Sequence, residues 1–302
     1  MSTSSGVDGP SAGAGATSPA PAHGRAGRNL PAAIAVGVGL GAYVILTLLF
    51  WRFGFVLLVA VALALASVEL HANLRKIGMN AALGPIVVGS VAIAIGSYLA
   101  GRQAPVVFST TSVLLAALAL TVVASLVWRM PGGATGYVRD AAASMLIISY
   151  VPLLGSFAAL MLAAPADGVA RMVTFLLVVV LNDVGGYVAG VLFGRHPMAP
   201  RISPKKSWEG FAGSVVFGTV GAVVMATQGL QAPVWVGLVL GVCLVAVATC
   251  GDLVESLIKR DLGIKDMSSF LPGHGGVMDR LDSLLLAAPV AWVIMYVLVP
   301  GG

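Results

Sequence analysis

Nine apolar runs follow one another from residue 30 onward, at about 30–50, 53–69, 81–101, 105–128, 140–163, 169–193, 211–229, 232–250 and 281–299. Most approach the roughly 20 residues that a helix needs to cross a bilayer core. In hydrocarbon a segment must satisfy its own backbone hydrogen bonds, so such runs are helices unless a closed barrel pairs them. The dyad alternation of barrel strands is absent. The chain is therefore expected to be an all-α integral membrane protein of about nine transmembrane helices. Composition agrees, because 58% of the 302 residues are hydrophobic and 10% charged, with a mean hydropathy of +0.98. A soluble domain carries roughly 25% charge.

Residues 1–29 consist mainly of Ser, Gly, Ala, Pro and Thr. They hold too little apolar surface to offset the entropy of ordering, which predicts a disordered polar tail ahead of a polytopic membrane domain over 30–302. No apolar stretch precedes Asn29, so a cleavable signal peptide is not expected and the first run stays as an anchor. Nine spans put the termini on opposite sides. Cytoplasmic loops gather Lys and Arg, and with the N-terminus inside, all 17 basic residues except Arg52, Arg102 and Arg171 fall on one side. This predicts a cytoplasmic N-terminus and a C-terminus outside. The net charge of +5 then follows from the cytoplasmic loops, it also allows contact with anionic lipid heads, and no nucleic-acid partner is needed. Cys243 and Cys250 are seven apart in one run, about 10 Å along a helix, too far for a disulfide.

Eight of the twelve acidic residues lie between Asp183 and Asp282. Acids within or at the ends of spans are expensive in hydrocarbon and point to function or to interior pairing. Asn182-Asp183 sits inside the sixth run with Gly185, Gly186 and Tyr187 after it, which suits a polar cavity. The loop Arg201–Gly210 carries Ser203, Pro204, Lys205, Lys206, Ser207 and Glu209, where paired lysines flanked by hydroxyls can contact phosphate oxygens. A defined turn and helix start are expected there. The segment Gly251–Ser283 is the most informative. On a helix Asp252, Glu255, Ser256 and Lys259 share one face, Arg260, Lys265 and Asp266 follow, and Leu271-Pro272-Gly273-His274-Gly275-Gly276 forms a break whose glycines let backbone amides approach an anion. Asp279, Arg280 and Asp282 come next. With Asp252, the acids Asp279 and Asp282 can hold hard divalent cations through oxygen. His274 can contact phosphate when protonated or hydrogen-bond the backbone. Zinc is not expected, since no second His or Cys is near it.

The string from Ser256 to Asp282, SLIKRDLGIKDMSSFLPGHGGVMDRLD, resembles the signature of the phosphatidate cytidylyltransferase family. Asn182-Asp183 with Tyr187, and Ser203-Pro204-Lys205-Lys206-Ser207 with Glu209-Gly210, are similar to two further family elements in the same order. Gly186 stands where the family often has alanine, and Pro197 lies in a loop where lysine is frequent. The resemblance covers about residues 180–283, the expected catalytic part, and implies transfer of CMP from CTP to phosphatidic acid, giving CDP-diacylglycerol and pyrophosphate. It further implies a multi-pass enzyme of the cytoplasmic membrane that uses Mg2+, one or two cations, and often works as a homodimer.

A lipid phosphate monoester has a second pKa near 6 and is largely ionised at pH 7, so no catalytic base is required, and none of the usual triads is present. Positioning and charge neutralisation carry the reaction. Asp252, Asp279 and Asp282 are expected as metal ligands with Asp183 assisting, and Asp252, Asp279, Asp282, Lys259 and Arg280 as the catalytic set. Substrate contacts are expected from Asn182, Asp183, Tyr187, Ser203, Lys205, Lys206, Glu209, Ser256, Arg260, Lys265, Asp266, His274, Gly275 and Gly276. The alternatives are another CTP-dependent lipid transferase, such as a CDP-archaeol synthase or a polyprenol or phytol kinase, and an ion-coupled transporter.

Overall fold

The computed structural model of the chain describes residues 30–101, 109–270 and 275–299, with side chains from Ile34 onward. The polar tail, Arg102 and His274 lie outside the described residues. The helices are α1 (Leu30–Phe50), α2 (Arg52–Lys76), α3 (Leu83–Ala100), α4 (Thr110–Arg129), α5 (Tyr137–Ile148), α6 (Leu154–Leu162), α7 (Gly168–Phe193), α8 (Trp208–Val224), α9 (Val234–Asp261) and α10 (Met278–Leu298). A π-turn over Ser149–Leu153, with Pro152 inside it, joins α5 to α6 in one continuous span. Pro152 has no N–H to donate, which is the local reason for the wider turn.

Among the described residues eight spans are long and apolar enough to cross a membrane, and α1 adds a shorter apolar helix over Ile34–Phe50. The chain is thus a multi-pass helical membrane protein, in agreement with the nine apolar runs. Side chains such as Leu115, Leu120, Val191, Leu192 and Phe193 stand more than 60% exposed on the outside of the bundle, which hydrocarbon rewards as water does not. The eighth apolar run ends at about residue 250 and α9 continues to Asp261, so Asp252, Glu255, Ser256 and Lys259 stand on one helix as expected. One element differs from the sequence reading. The loop before the seventh run is a two-stranded antiparallel hairpin, β1 (Pro197–Ala199) and β2 (Ser203–Ser207), with Pro197 opposite Ser207.

Small residues set the helix spacing. A β-carbon at Gly185 of α7 would stand 2.7 Å from the Gly213 carbonyl oxygen of α8, and one at Gly241 of α9 would stand 2.5 Å from the Thr219 Cα of α8. Backbones approach this closely only where a side chain is missing, and packing of this kind replaces the hydrophobic drive that lipid cannot supply. Buried Leu240, Leu244 and Ala248 of α9 with Ala287, Ala288 and Ala291 of α10 fill the interior beside it.

The two ends of the bundle differ in charge. At one end Arg129 Nε donates to Asp140 at 2.6 Å, and Asp140 also accepts the Asn80 N–H at 2.7 Å. The candidate site lies at this end. At the other, Arg52 lines a cavity with Gly101 and Ala163, and Arg171 Nη1 donates to the Met295 carbonyl at 3.1 Å.

Candidate functional site

Two cavities adjoin between the C-terminal halves of α7 and α9 and the start of α10. The first, about 380 Å³, is lined by Asn182, Asp183 and Tyr187 of α7, by Ser203, Lys205 and Lys206 of the hairpin, and by Thr249 and Asp252 of α9. The second, about 390 Å³, is lined by Asp183, Asp252, Asp279, Arg280 and Asp282, with Leu176, Val179, Val180 and Leu284 as an apolar wall. Asp183 and Asp252 belong to both. A ligand in either cavity therefore meets the same two carboxylates.

The hairpin is held over this junction. Lys206 Nζ pairs with Asp252 Oδ2 at 2.6 Å and donates to the Thr249 carbonyl at 3.4 Å. Ser256 Oγ donates to Asp252 Oδ1 at 3.3 Å. Glu209, in the first turn of α8, accepts the N–H groups of Arg195 and His196 at 3.1 and 3.2 Å on Oε2, and its Oε1 meets His196 Nδ1 at 2.5 Å. It fastens the hairpin's base and lines neither cavity. Ser207 caps α8, its Oγ accepting the Gly210 N–H at 3.1 Å, so the Ser-x-x-Gly start of the helix also ends the hairpin.

On α7, Asn182 Nδ2 donates to Asp183 Oδ1 at 2.9 Å, and Ser214 Oγ donates to the Asn182 carbonyl at 2.6 Å. The buried Asn182 Oδ1 has no partner among the described residues. Asp282 takes the neighbouring Ser283 N–H at 2.6 Å and lines the second cavity together with Asp252 and Asp183, where like charges repel. A bound cation or the N–H and O–H donors of a ligand would relieve that repulsion.

The profile of the Cytidylyltransferase family matches residues 31–298. The chain belongs to the Cytidylyltransferase family. A Mycobacterium leprae protein named phosphatidate cytidylyltransferase is 55% identical over 164 residues, which cover 54% of this chain and 52% of the relative. One of the same name from Mycobacterium bovis is 47% identical over 190 residues, 59% of this chain and 62% of the relative. A third, from Staphylococcus haemolyticus, is 35% identical over 157 residues, 52% of this chain and 59% of the relative. The chain spans about half to three-fifths of the length of these curated relatives.

Within this cytidylyltransferase-family fold, other residues singled out in the sequence divide by what they touch. Asp279, which the sequence groups with Asp252 and Asp282, has both oxygens engaged. Oδ1 receives Lys259 Nζ at 3.0 Å, and Oδ2 accepts the N–H groups of Met267 at 3.0 Å and Gly276 at 2.7 Å. Lys259 also pairs with Glu255, whose side chain is 0% exposed. The lysine thus sits between two acids of the protein and leaves little of its charge for a substrate. Gly275, at φ +82°, and Gly276 shape the turn that brings those amides to Asp279. Arg260 reaches back to the Ile202 carbonyl at 3.4 Å. Arg260, Lys265 and Asp266 are exposed and line neither cavity.

For a cation, Asp183, Asp252 and Asp282 offer oxygen donors alone, the chemistry of a hard ion. No group of three His, Cys, Asp or Glu among the described residues is gathered to hold a metal unaided. A hard divalent cation commonly completes its shell with substrate phosphates and water.

Three buried polar groups carry no role in the sequence reading, Glu69 being there only a helix-end residue of unknown role. Glu69 and Asn73 of α2 bond to the segment before α10, and the buried Tyr150 hydroxyl of the π-turn has no hydrogen-bond partner among the described residues. The only available signal was an acid and an amide four apart where an apolar run ends.

Proposed function

We propose that the chain is a phosphatidate cytidylyltransferase that transfers CMP from CTP to phosphatidic acid. The observation that carries this reading is the pair of cavities meeting at Asp183 and Asp252, one roofed by a lysine hairpin and the other walled in part by Leu176, Val179, Val180 and Leu284. The triphosphate is assigned to the hairpin cavity and the lipid phosphate to the second, whose apolar wall suits glycerol and acyl chains. Names carried by the Mycobacterium and Staphylococcus relatives support the same substrates.

In the reaction an oxygen of the ionised lipid phosphate attacks the α-phosphorus of CTP. The bond from that phosphorus to the α,β-bridging oxygen breaks, and pyrophosphate leaves with the electron pair. The attacking oxygen is already anionic at pH 7, so the residues have no proton to remove. Their work is to bring two polyanions together. Lys205 and Lys206 neutralise charge on the triphosphate, and Arg280 does so on the lipid head, where its fork suits phosphate oxygens. Asp183, Asp252 and Asp282 are the residues proposed to hold Mg2+, which when bound would supply Lewis-acid neutralisation of the phosphates. We place this end of the bundle at the cytoplasmic face of the cell membrane, where CTP is present and most of the Lys and Arg gather.

The test is pyrophosphate release and CDP-diacylglycerol formation by detergent-purified protein given CTP, phosphatidic acid and Mg2+, with each omitted in turn. Product that needs all three, and that Asp282→Ala abolishes, is expected. CTP binding without product would instead assign another lipid acceptor, and near-normal turnover of Asp282→Ala at saturating Mg2+ would remove Asp282 from the cation site.

A further inference from the structure

Glu69 is 8% exposed in α2, and none of the substrate-facing groups touches it. Its carboxylate sits on the start of α10, 209 residues away in sequence from Met278. Oε1 accepts the Val277 N–H at 2.9 Å and the Ser268 hydroxyl at 2.6 Å, and Oε2 accepts the Met278 N–H at 2.9 Å. At its first turn α10 has no side-chain cap from Val277. The acid from α2 satisfies two amides that a helix start leaves open, and its negative charge lies at the positive end of the helix dipole. A β-carbon at Gly276 would stand 2.6 Å from Glu69 Oε2, so the approach depends on glycine there. One turn along α2, Asn73 Nδ2 donates to the Met267 carbonyl at 2.8 Å.

Packing alone does not account for an acid here. A buried carboxylate is costly without compensation, and no Lys or Arg pairs with Glu69 among the described residues. Three donors of one loop and helix start supply that compensation. The first two turns of the same helix carry Arg280 and Asp282 into the second cavity.

We propose that Glu69 is a positioning residue, clamping Ser268 and the start of α10 at Val277 and Met278 to α2 and thereby fixing where Arg280 and Asp282 stand relative to Asp183 and Asp252. The catalytic consequence rests on the cytidylyl-transfer reading above. The clamp itself does not, which lets the two fail separately. Glu69→Gln keeps the side chain's size but turns an NH2 group toward donors that need an acceptor.

In Glu69→Gln, kcat for CDP-diacylglycerol formation is expected to fall about tenfold or more while KM for CTP stays within about twofold, the signature of reacting groups out of place with nucleotide binding intact. Hydrogen–deuterium exchange should quicken over residues 275–281 and stay unchanged in α3 and α4. Gly276→Ala attacks the same contact from the other side. Because the two changes disturb one contact, the double variant should lose no more than the worse single variant. Unchanged exchange at 275–281 in Glu69→Gln overturns the clamp, whether or not the wild-type protein makes product. Additive losses in the double variant, or faster exchange throughout the bundle, overturn it equally, since they show a general loss of stability. Wild-type protein that forms no product overturns the reaction assigned above and leaves exchange to decide the clamp.

Discussion

A β-carbon on Gly251 would stand 2.6 Å from the backbone carbonyl oxygen of Asp282. The helices α9 and α10 therefore touch at backbone distance where each presents a carboxylate, Asp252 on one and Asp282 on the other. The close backbone packing is what brings the two carboxylates to one cavity. Gly251→Ala must move one helix away, and overpacking of this kind costs about 1–3 kcal/mol. We expect a lower melting temperature in detergent and a loss of pyrophosphate release already present well below that melting temperature. Activity equal to wild type at low temperature would show that the spacing has no bearing on turnover.

Lys259 is expected to behave as a structural ion. It joins Glu255 and Asp279, whose side chains are 0% and 6% exposed, and breaking a buried pair leaves charge without compensation at about 3–5 kcal/mol. Lys259→Met should unfold at a clearly lower temperature, and adding Glu255→Gln should restore part of the loss. Melting curves of the two proteins decide it. Full stability of Lys259→Met would return the lysine to the substrates.

Lys206 and Asp252 are paired at 2.6 Å, with side chains 23% and 35% exposed, so their energy is modest in the resting protein. Their value is expected to appear with nucleotide bound, when the lysine faces a triphosphate. Lys206→Ala should lower kcat/KM for CTP about tenfold or more. A double-mutant cycle with Asp252→Asn, read on kcat/KM, should give a coupling of about 0.5–3 kcal/mol. Strict additivity would mean that the pair acts through separate partners.

Glu209 fastens the hairpin through Arg195 and His196. Glu209→Gln loses the acid that collects these donors but alters no cavity wall. KM for CTP should rise, while kcat at saturating nucleotide stays within about twofold. A fall in kcat with KM unchanged would place Glu209 nearer to the reacting atoms than the hairpin's base.

The hydroxyl of Tyr150 has no hydrogen-bond partner among the described residues. Its removal abandons no hydrogen bond, so Tyr150→Phe should leave the melting temperature equal to wild type or slightly higher. A marked drop would reveal a partner supplied by water or ligand.

The apolar runs, the helical class and the polar segments that form the site could be read from the sequence, because each depends on local facts. A run of apolar residues must become a helix in hydrocarbon wherever its neighbours lie, and Asp252 and Ser256, four apart, share a helix face before any packing occurs. The tertiary structure decided which partner each charge would have. Asp279 and Asp282 are three residues apart, yet one is held by Lys259 and two backbone amides while the other lines a cavity with Asp183 and Asp252. Likewise, Glu69 became a clamp on α10 because α2 packs beside that helix. Hydropathy is a property of a segment, whereas the partner of a buried charge depends on backbone approaches such as Gly251 to Asp282 and Gly276 to Glu69, which arise only when distant helices meet.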